Sequence, residues 1–388
     1  MKILSIETSC DDTCAAVLDD DRILSNVVSS QTDLHAKWGG VVPDIAKRAH
    51  QERIMPVIME ALTRSSLRAK RSNPCLQSKS LSASPLLPLT REIEEMMKDI
   101  DVIAVTIGPG LAPALGVGVN TAKELAIKYR KKLVAVNHIE GHILANFAKN
   151  RNGRSSFAKA TKDKEKIEFP SLILTVSGGH TKIILAQNPP ESPLDRGDRN
   201  YIVVGETLDD AAGEALDKAA KLLGMGYPGG PVVERLAEKG DKEWLKLPRP
   251  LKGQENFDYS FSGLKTSFYY QIKDWPKERI NKNLFNLAAS FQEAVIDTLV
   301  MKFRKAAEYY QPKTLLASGG VMANMELRKR LRKMAKELGV KIFMPVKKEW
   351  NTDNAAMIGV AGYYKAMRGE FVEEIDSLER EARWEIGN

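Results

Sequence analysis

The first nineteen residues set a pattern that recurs later in the chain. An apolar run, Lys2-Ile3-Leu4-Ser5-Ile6, gives way to a polar stretch from Glu7 to Thr13 and then to a second apolar run from Cys14 to Leu18. This predicts two strands joined by a turn rich in hydroxyls and acids. Residues 171–186 repeat the plan, with an apolar run from Ser171 to Val176, a turn Ser177-Gly178-Gly179-His180-Thr181, and a second run from Lys182 to Ala186. Two such hairpins point to two related domains. After the first, the pattern predicts a buried strand over 100–106, a helix over 122–129 and a strand over 132–136. Alternating strands and helices argue for α/β layers.

Two stretches break this pattern. Residues 63–91 are rich in Ser and Pro, with six basic residues and no acid; residues 149–166 hold seven basic and two acidic residues. Such text buries little apolar surface, so both read as surface insertions or disordered loops. They also locate the net charge. The chain has 58 Lys+Arg against 50 Asp+Glu, a formal +8. The inserts carry +11 between them, leaving the rest at −3. Charge alone is therefore a poor reason to assign nucleic acid as a partner, although the inserts suit phosphate contacts.

Composition excludes several classes. With 43% hydrophobic and 28% charged residues over 388 positions, the chain is ordinary globular protein of about two domains. No apolar run approaches the roughly 18–20 residues that span a bilayer, and Glu7 comes too early for a signal-peptide core. The expectation is a soluble, cytoplasmic protein without membrane contact. Cys10, Cys14 and Cys75 form no C-x-x-C pair and read as small buried hydrophobes.

Four segments carry candidate chemistry. His138-Ile139-Glu140-Gly141-His142 places two imidazoles at i and i+4, one face of a helix, where they could share a metal ion or be plain surface histidines. It is not H-E-x-x-H, because Glu140 sits at the wrong position. Asp353, in Thr352-Asp353-Asn354, is either a third ligand or a helix cap. Glycine turns follow apolar runs at Gly108-Pro109-Gly110, at 177–179, at Tyr227-Pro228-Gly229-Gly230-Pro231 and at Ser318-Gly319-Gly320, where bare backbone N–H groups suit a phosphate. None matches a Walker or Rossmann fingerprint. Asp210, Glu214 and Asp217 share one face of a helix that begins after acids and a hydroxyl at Thr207. That start reads as a capped terminus, or Asp217 meets a ribose. The alternating aromatics of 257–266 form a packing loop or stack on a base.

These motifs, IETSCDDT, NHIEGH, VSGGHTK, GETLDDAAGEALDKAAKLLG, YPGGP, DYSFSGLKT, ASGGVMAN and TDNAAMIG, run nearly the length of the chain. Together they resemble the TsaD family, bacterial tRNA N6-adenosine threonylcarbamoyltransferases once labelled a glycoprotease. The resemblance implies a duplicated two-domain α/β fold of the actin, sugar-kinase and Hsp70 type, with ligand and metal in the cleft. It implies domains at 1–130, joined by a C-terminal helix at 355–388, and at 131–354. It implies one divalent metal, iron or else zinc, on His138, His142 and Asp353, which overturns a cap-only reading of Asp353. The family's archaeal tyrosine ligand is replaced here by Thr175. By the same resemblance Thr175, Val176, Ser177, Gly178, Gly179, Asp217, Gly230, Glu234 and Asn324 bind threonylcarbamoyl-AMP, and Asp11 matches an acid implicated in transfer. The implied acceptor is tRNA, at the adenosine next to the anticodon (adenosine 37), and the implied partners are TsaB-like and TsaE-like proteins. Alternatives are a metalloprotease, or a non-catalytic nucleotide-binding scaffold related to sugar kinases.

Overall fold

The computed structural model describes residues 1–69, 87–150, 166–190, 200–345 and 350–387. Along the chain the elements are β1 (Lys2–Glu7), β2 (Asp12–Asp19), β3 (Arg22–Ser30), α1 (Thr32–Ala36), α2 (Pro43–Ala69), α3 (Leu87–Lys98), β4 (Val102–Gly108), α4 (Ala112–Tyr129), β5 (Lys132–Asn137) and α5 (His138–Leu144). They continue with β6 (Ser171–Val176), β7 (Thr181–Ala186), β8 (Tyr201–Glu206), α6 (Ala212–Leu222), α7 (Gly229–Ala237), α8 (Ser262–Ile272), α9 (Lys277–Lys282), α10 (Leu284–Tyr310), β9 (Thr314–Ser318), α11 (Met325–Leu338), β10 (Lys341–Phe343) and α12 (Ala355–Met367). Both hairpins form as expected, with Ile3 opposite Leu18 in the first and Ile173 opposite Ile184 in the second.

The strands make two sheets of the same design. One runs β3-β2-β1-β4-β5, the other β8-β7-β6-β9-β10. In each, an antiparallel three-stranded meander is extended by two parallel strands. Parallel neighbours need a crossover, and the crossover segments contain helices, as α/β layers require. The repeated strand order is the signature of a duplicated fold.

The chain divides into two compact units. The first comprises Met1–Gln31, Pro43–Ser156 and Asp353–Glu385; the second comprises Thr32–Val42, Phe157–Thr352 and Ile386–Asn388. This moves the expected boundary at 130/131. Strand β5 pairs in parallel with β4, so it and α5 belong to the first unit. The expected insert at 63–91 also shrinks, because α2 continues to Ala69 and α3 begins at Leu87; residues 70–86, including Cys75, lie outside the described residues, as do 151–165 of the second insert.

Helix α12 closes the first unit. Its small residues let it lie close: a Cβ on Gly141 of α5 would come within 2.7 Å of Ile358 Cδ1. The Ser5 hydroxyl donates to the Ala355 carbonyl at 2.6 Å and ties the start of α12 to β1. In the second unit α10 is the central helix. Contrary to the expectation that no such run exists, it is long and apolar enough to cross a membrane; 67% of its most apolar stretch is buried inside the protein, as suits a core helix. Tyr259 and Phe261 are also fully buried, which makes 257–266 a packing loop and removes these two rings from any stack on a base.

Candidate functional site

In the first unit, Asn137 ends β5 and caps α5, its side chain accepting from Ile139 N at 2.8 Å and Glu140 N at 3.4 Å. The cap fixes the helical register, and one turn later His142 stands beside His138 with ring centroids 4.7 Å apart. Asp353 arrives from the other end of the sequence. It is not the cap of α12; Asn354 is, accepting from Met357 N at 3.1 Å. Asp353 Oδ1 instead lies 3.2 Å from His142 Nε2 and 3.6 Å from His138 Nε2.

This set fits a metal ion. Its ligand atoms all lie within 4.8 Å of one another, and two donors roughly 2.1 Å from a tetrahedral ion are about 3.4 Å apart. His142 is fully buried, its Nδ1 has no hydrogen-bond partner, and its Nε2 faces the Asp353 carboxylate at 3.2 Å without a well-formed hydrogen bond. Leaving such a group unsatisfied costs about 1–3 kcal/mol, an expense a coordinate bond offsets. Two imidazoles and a carboxylate are the donor set of iron and zinc sites with positions left for substrate.

The sequence reading missed what stands behind His138. Its Nδ1 lies 3.1 Å from Glu7 Oε2 and 3.1 Å from Ser9 Oγ. Glu7 is itself held by the Thr106 hydroxyl and the Ser9 amide, each at 2.5 Å. A carboxylate behind a ligating imidazole fixes the ring and leaves Nε2 for the ion. In the metal-free chain, burial alone would lower the His138 pKa, but the Glu7 and Asp353 carboxylates push it up to about 9. Burial opposes ionisation of Glu7, yet His138 beside it holds its pKa below the ordinary value. Burial lowers that of His142. The available signal was an acid ending an otherwise apolar strand. Glu140 turns elsewhere: it is buried 3.7 Å from both Lys365 and Arg368, so it is not placed as the general base of a metalloprotease.

Asp11 lies in the β1–β2 turn with its carbonyl accepting from Gln31 N at 3.0 Å. His50 braces this turn, meeting Thr13 Oγ1 at 2.8 Å and the Cys10 carbonyl at 3.0 Å. Burial pushes the thiols of Cys10 and Cys14 well up, in keeping with unreactive side chains. Burial also pushes the neighbouring Asp12 carboxyl up to about 7.

In the second unit six of the nine residues that the resemblance assigns to the donor fall along a closed circuit of contacts. The Ser177 carbonyl accepts from Gly213 N at the start of α6, at 3.2 Å. One turn on, Asp217 Oδ1 accepts from Gly229 N at 2.7 Å and Gly230 N at 3.1 Å, holding the first turn of α7. Also on α7, Glu234 accepts from Met325 N at 2.7 Å. Next to Met325, Asn324 caps α11 and donates to Gln292 Oε1 at 2.7 Å. The turn before it returns to the hairpin, since Gly319, at φ +97°, is pressed against the Val176 carbonyl. A side chain there would meet both a backbone clash and left-handed strain. Thr175 and Val176 are fully buried in β6, so their side chains face the interior; the Thr175 hydroxyl has no hydrogen-bond partner. Gly178 and Gly179 are exposed, with nothing within 4 Å of where a Cβ would stand. Asp210 lies before α6 and pairs with Lys218 and Lys265, and Asp209 bonds Ser260 and Ser262 at the start of α8. Helix α6 itself has no side-chain cap.

A family model described as "TsaD: tRNA N6-adenosine threonylcarbamoyltransferase" matches residues 22–72 and 88–360. The chain belongs to the TsaD family. Relatives named tRNA N6-adenosine threonylcarbamoyltransferase include one from Kosmotoga olearia, 44% identical over 96% of this chain and 95% of its own. Another, from Syntrophomonas wolfei, is 43% identical over 93% and 91%. Among solved structures, a ROK hexokinase from Thermus thermophilus is similar at 13% identity and TM-score 0.43, covering 94% of this chain and 99% of that one. That likeness is too loose to carry argument, and the repeated strand order remains the ground for the fold. As a TsaD, the chain is a transferase that modifies tRNA, of a metal-dependent family. The first insert interrupts the family match at 73–87, whereas 149–166 falls within it.

Proposed function

We propose that this chain transfers the threonylcarbamoyl group from threonylcarbamoyl-AMP to N6 of the adenosine next to the tRNA anticodon. The amine attacks the carbamoyl carbon, the bond from that carbon to the phosphate oxygen breaks, AMP leaves with the electron pair, and N6 loses a proton. What supports the reading is one observation: the family match runs through the His138/His142/Asp353 cluster and through every donor-binding candidate from Thr175 to Asn324.

The exposed Gly178 and Gly179 amides, beside the N-terminus of α6, suit the leaving phosphate, because backbone dipoles there need no rearrangement as charge develops. Asp217 acts by holding Gly229 and Gly230 in place, with Gly230 and Glu234 offering contacts toward the ribose and Asn324 toward the adenine. Asp11 orients the attacking amine or takes its proton. His138, His142 and Asp353 would hold iron, or else zinc, which when bound supplies Lewis acidity toward an oxygen of the donor. Glu7 keeps His138 oriented for that role. TsaB-like and TsaE-like proteins are the proposed partners, and the cytoplasm, where tRNA is modified, the proposed location.

Metal-loaded protein incubated with threonylcarbamoyl-AMP and unmodified tRNA, with and without those partners, should yield threonylcarbamoyladenosine by mass spectrometry of the nucleosides. No modified nucleoside in the complete mixture would overturn the reading.

A further inference from the structure

Outside the two sites, the second unit carries an open groove of about 880 Å³ between the loop 242–252 and one face of α10. Its lining is basic. Lys242, Lys246, Arg249 and Lys252 come from the loop, and Arg304 and Lys305 from the helix, against Glu243, Asp297 and Glu308. Since the chain outside its two inserts carries a negative balance, this is a local concentration and not the spread of the overall charge.

Three of these cations are paired: Arg249 holds Asp297 at 2.7 Å, Arg304 holds Glu308 at 3.1 Å and Glu337 at 2.7 Å, and Lys242 lies 3.3 Å from Glu293. Lys246 and Lys252 form no ion pair among the described residues and are exposed. The loop that presents them is fixed. Leu247 is buried in the core, Leu245 N donates to Ser290 Oγ at 3.0 Å, and Lys302 and Lys305 donate to the carbonyls of Asn256 and Gln254 at 2.8 and 2.9 Å. Two rings adjoin it in sequence: Trp244, 38% exposed, and Tyr309, 72% exposed.

Cations spread along an open, pre-ordered groove suit a polyanion better than a single small anion, which would need them to converge. Nucleic acid is favoured over an acidic protein because the substrate of the proposed function is itself such a polyanion, with one phosphate charge per nucleotide. We infer that this groove takes the phosphate backbone of the tRNA substrate away from the base that is modified. The inference rests on the proposed function for its ligand, and on the groove's own charge for its place.

The test is binding of unmodified tRNA to the full chain at several salt concentrations, comparing wild type with the Lys246→Ala/Lys252→Ala double variant. Neither lysine is in the catalytic or donor-binding set, so binding of threonylcarbamoyl-AMP should be unchanged and serves as the check of folding. Several-fold weaker tRNA binding is expected, with a log-affinity against log-salt slope shallower by roughly 1.4–1.8, the share of two phosphate contacts. A Lys277→Ala/Lys282→Ala variant on α9 removes the same charge elsewhere in the unit and should leave both values unchanged. Equal loss in both variants, or no loss in the first, would overturn the inference; the latter is also the outcome if the groove meets an acidic protein. Wild-type protein that neither binds nor modifies tRNA would instead sink the functional reading, and the groove's ligand with it.

Discussion

The two hairpin turns occupy the same place in the same strand order and are built in opposite ways. The first, between β1 and β2, is dense with side chains. Glu7 and Ser9 meet His138, and His50 holds the turn through Thr13 and Cys10. The second, between β6 and β7, is bare, with two exposed glycines in a turn that Ser177 clips by backbone bonds to His180 and to α6. Duplication supplied one scaffold, and each copy then specialised. The first braces His138 of the candidate metal cluster through side chains; the second exposes bare backbone N–H groups, which we propose face an anion. Substitutions should therefore act differently at the two turns: changes of side-chain chemistry matter at the first, and added bulk matters at the second.

The largest effect is expected from His142→Ala. It should abolish stoichiometric metal binding, measured by elemental analysis, and lower transfer by more than about a hundredfold, since loss of a mere supporting partner already costs 10–100-fold. Retained metal and full transfer in a folded variant would remove the metal site from the comparison. Glu7→Gln keeps the shape behind His138 but not the charge, and should weaken metal affinity by about 10–100-fold; an unchanged affinity by chelator competition would mean that the first turn does not tune its ligand.

Around the second turn the contrast is between Gly178 within it and Gly319, which follows β9 and packs on Val176 at its base. Gly319→Ala should destabilise by roughly 1–3 kcal/mol or more in denaturant unfolding, because its left-handed backbone and the Val176 carbonyl both resist a Cβ. Gly178→Ala meets nothing within 4 Å and should stay within about 0.5 kcal/mol of wild type, its effect confined to donor binding. Equal stability of the two would show that the circuit of contacts is looser than drawn.

The smallest effect is one of pH. The Asp12 carboxyl sits at about 7 when folded against an ordinary 3.8, so the folded state binds its proton more tightly. That contribution to stability is complete below about 3.8 and lost as pH rises through 7. Asp12→Asn should thus melt higher than wild type at pH 8, with the difference closing toward pH 4. A constant difference across that range would assign it to something other than ionisation.

Periodic and local features were legible in the sequence. The hairpins announced themselves by two apolar runs around a polar turn, and His138 and His142 by the i, i+4 spacing that a helix turns into proximity. Long-range pairing was not. Nothing local tells β5 which sheet to join, so the domain boundary was set too early. Asp353 could be joined to the histidines by resemblance but not by spacing, because packing of α12 on β1 is what delivers it. Glu7 passed as the end of a strand, since its role depends on a histidine 131 residues away. The aromatics of 257–266 were ambiguous until burial showed them facing the core.

The bond between the Ser5 hydroxyl and the Ala355 carbonyl joins residues 350 positions apart. During synthesis at 5–20 residues per second, roughly 20–70 seconds separate the two. For the later part of that interval, the 211 residues from His142 to Asp353 or roughly 10–40 seconds, the first sheet is made but lacks its covering helix, and the histidines exist without their carboxylate. The candidate cation site is thus completed only after residues 157–352 of the second unit have been translated, so a chain broken off within that stretch carries two imidazoles and no complete centre. Loading with metal then reports that synthesis has passed through that stretch.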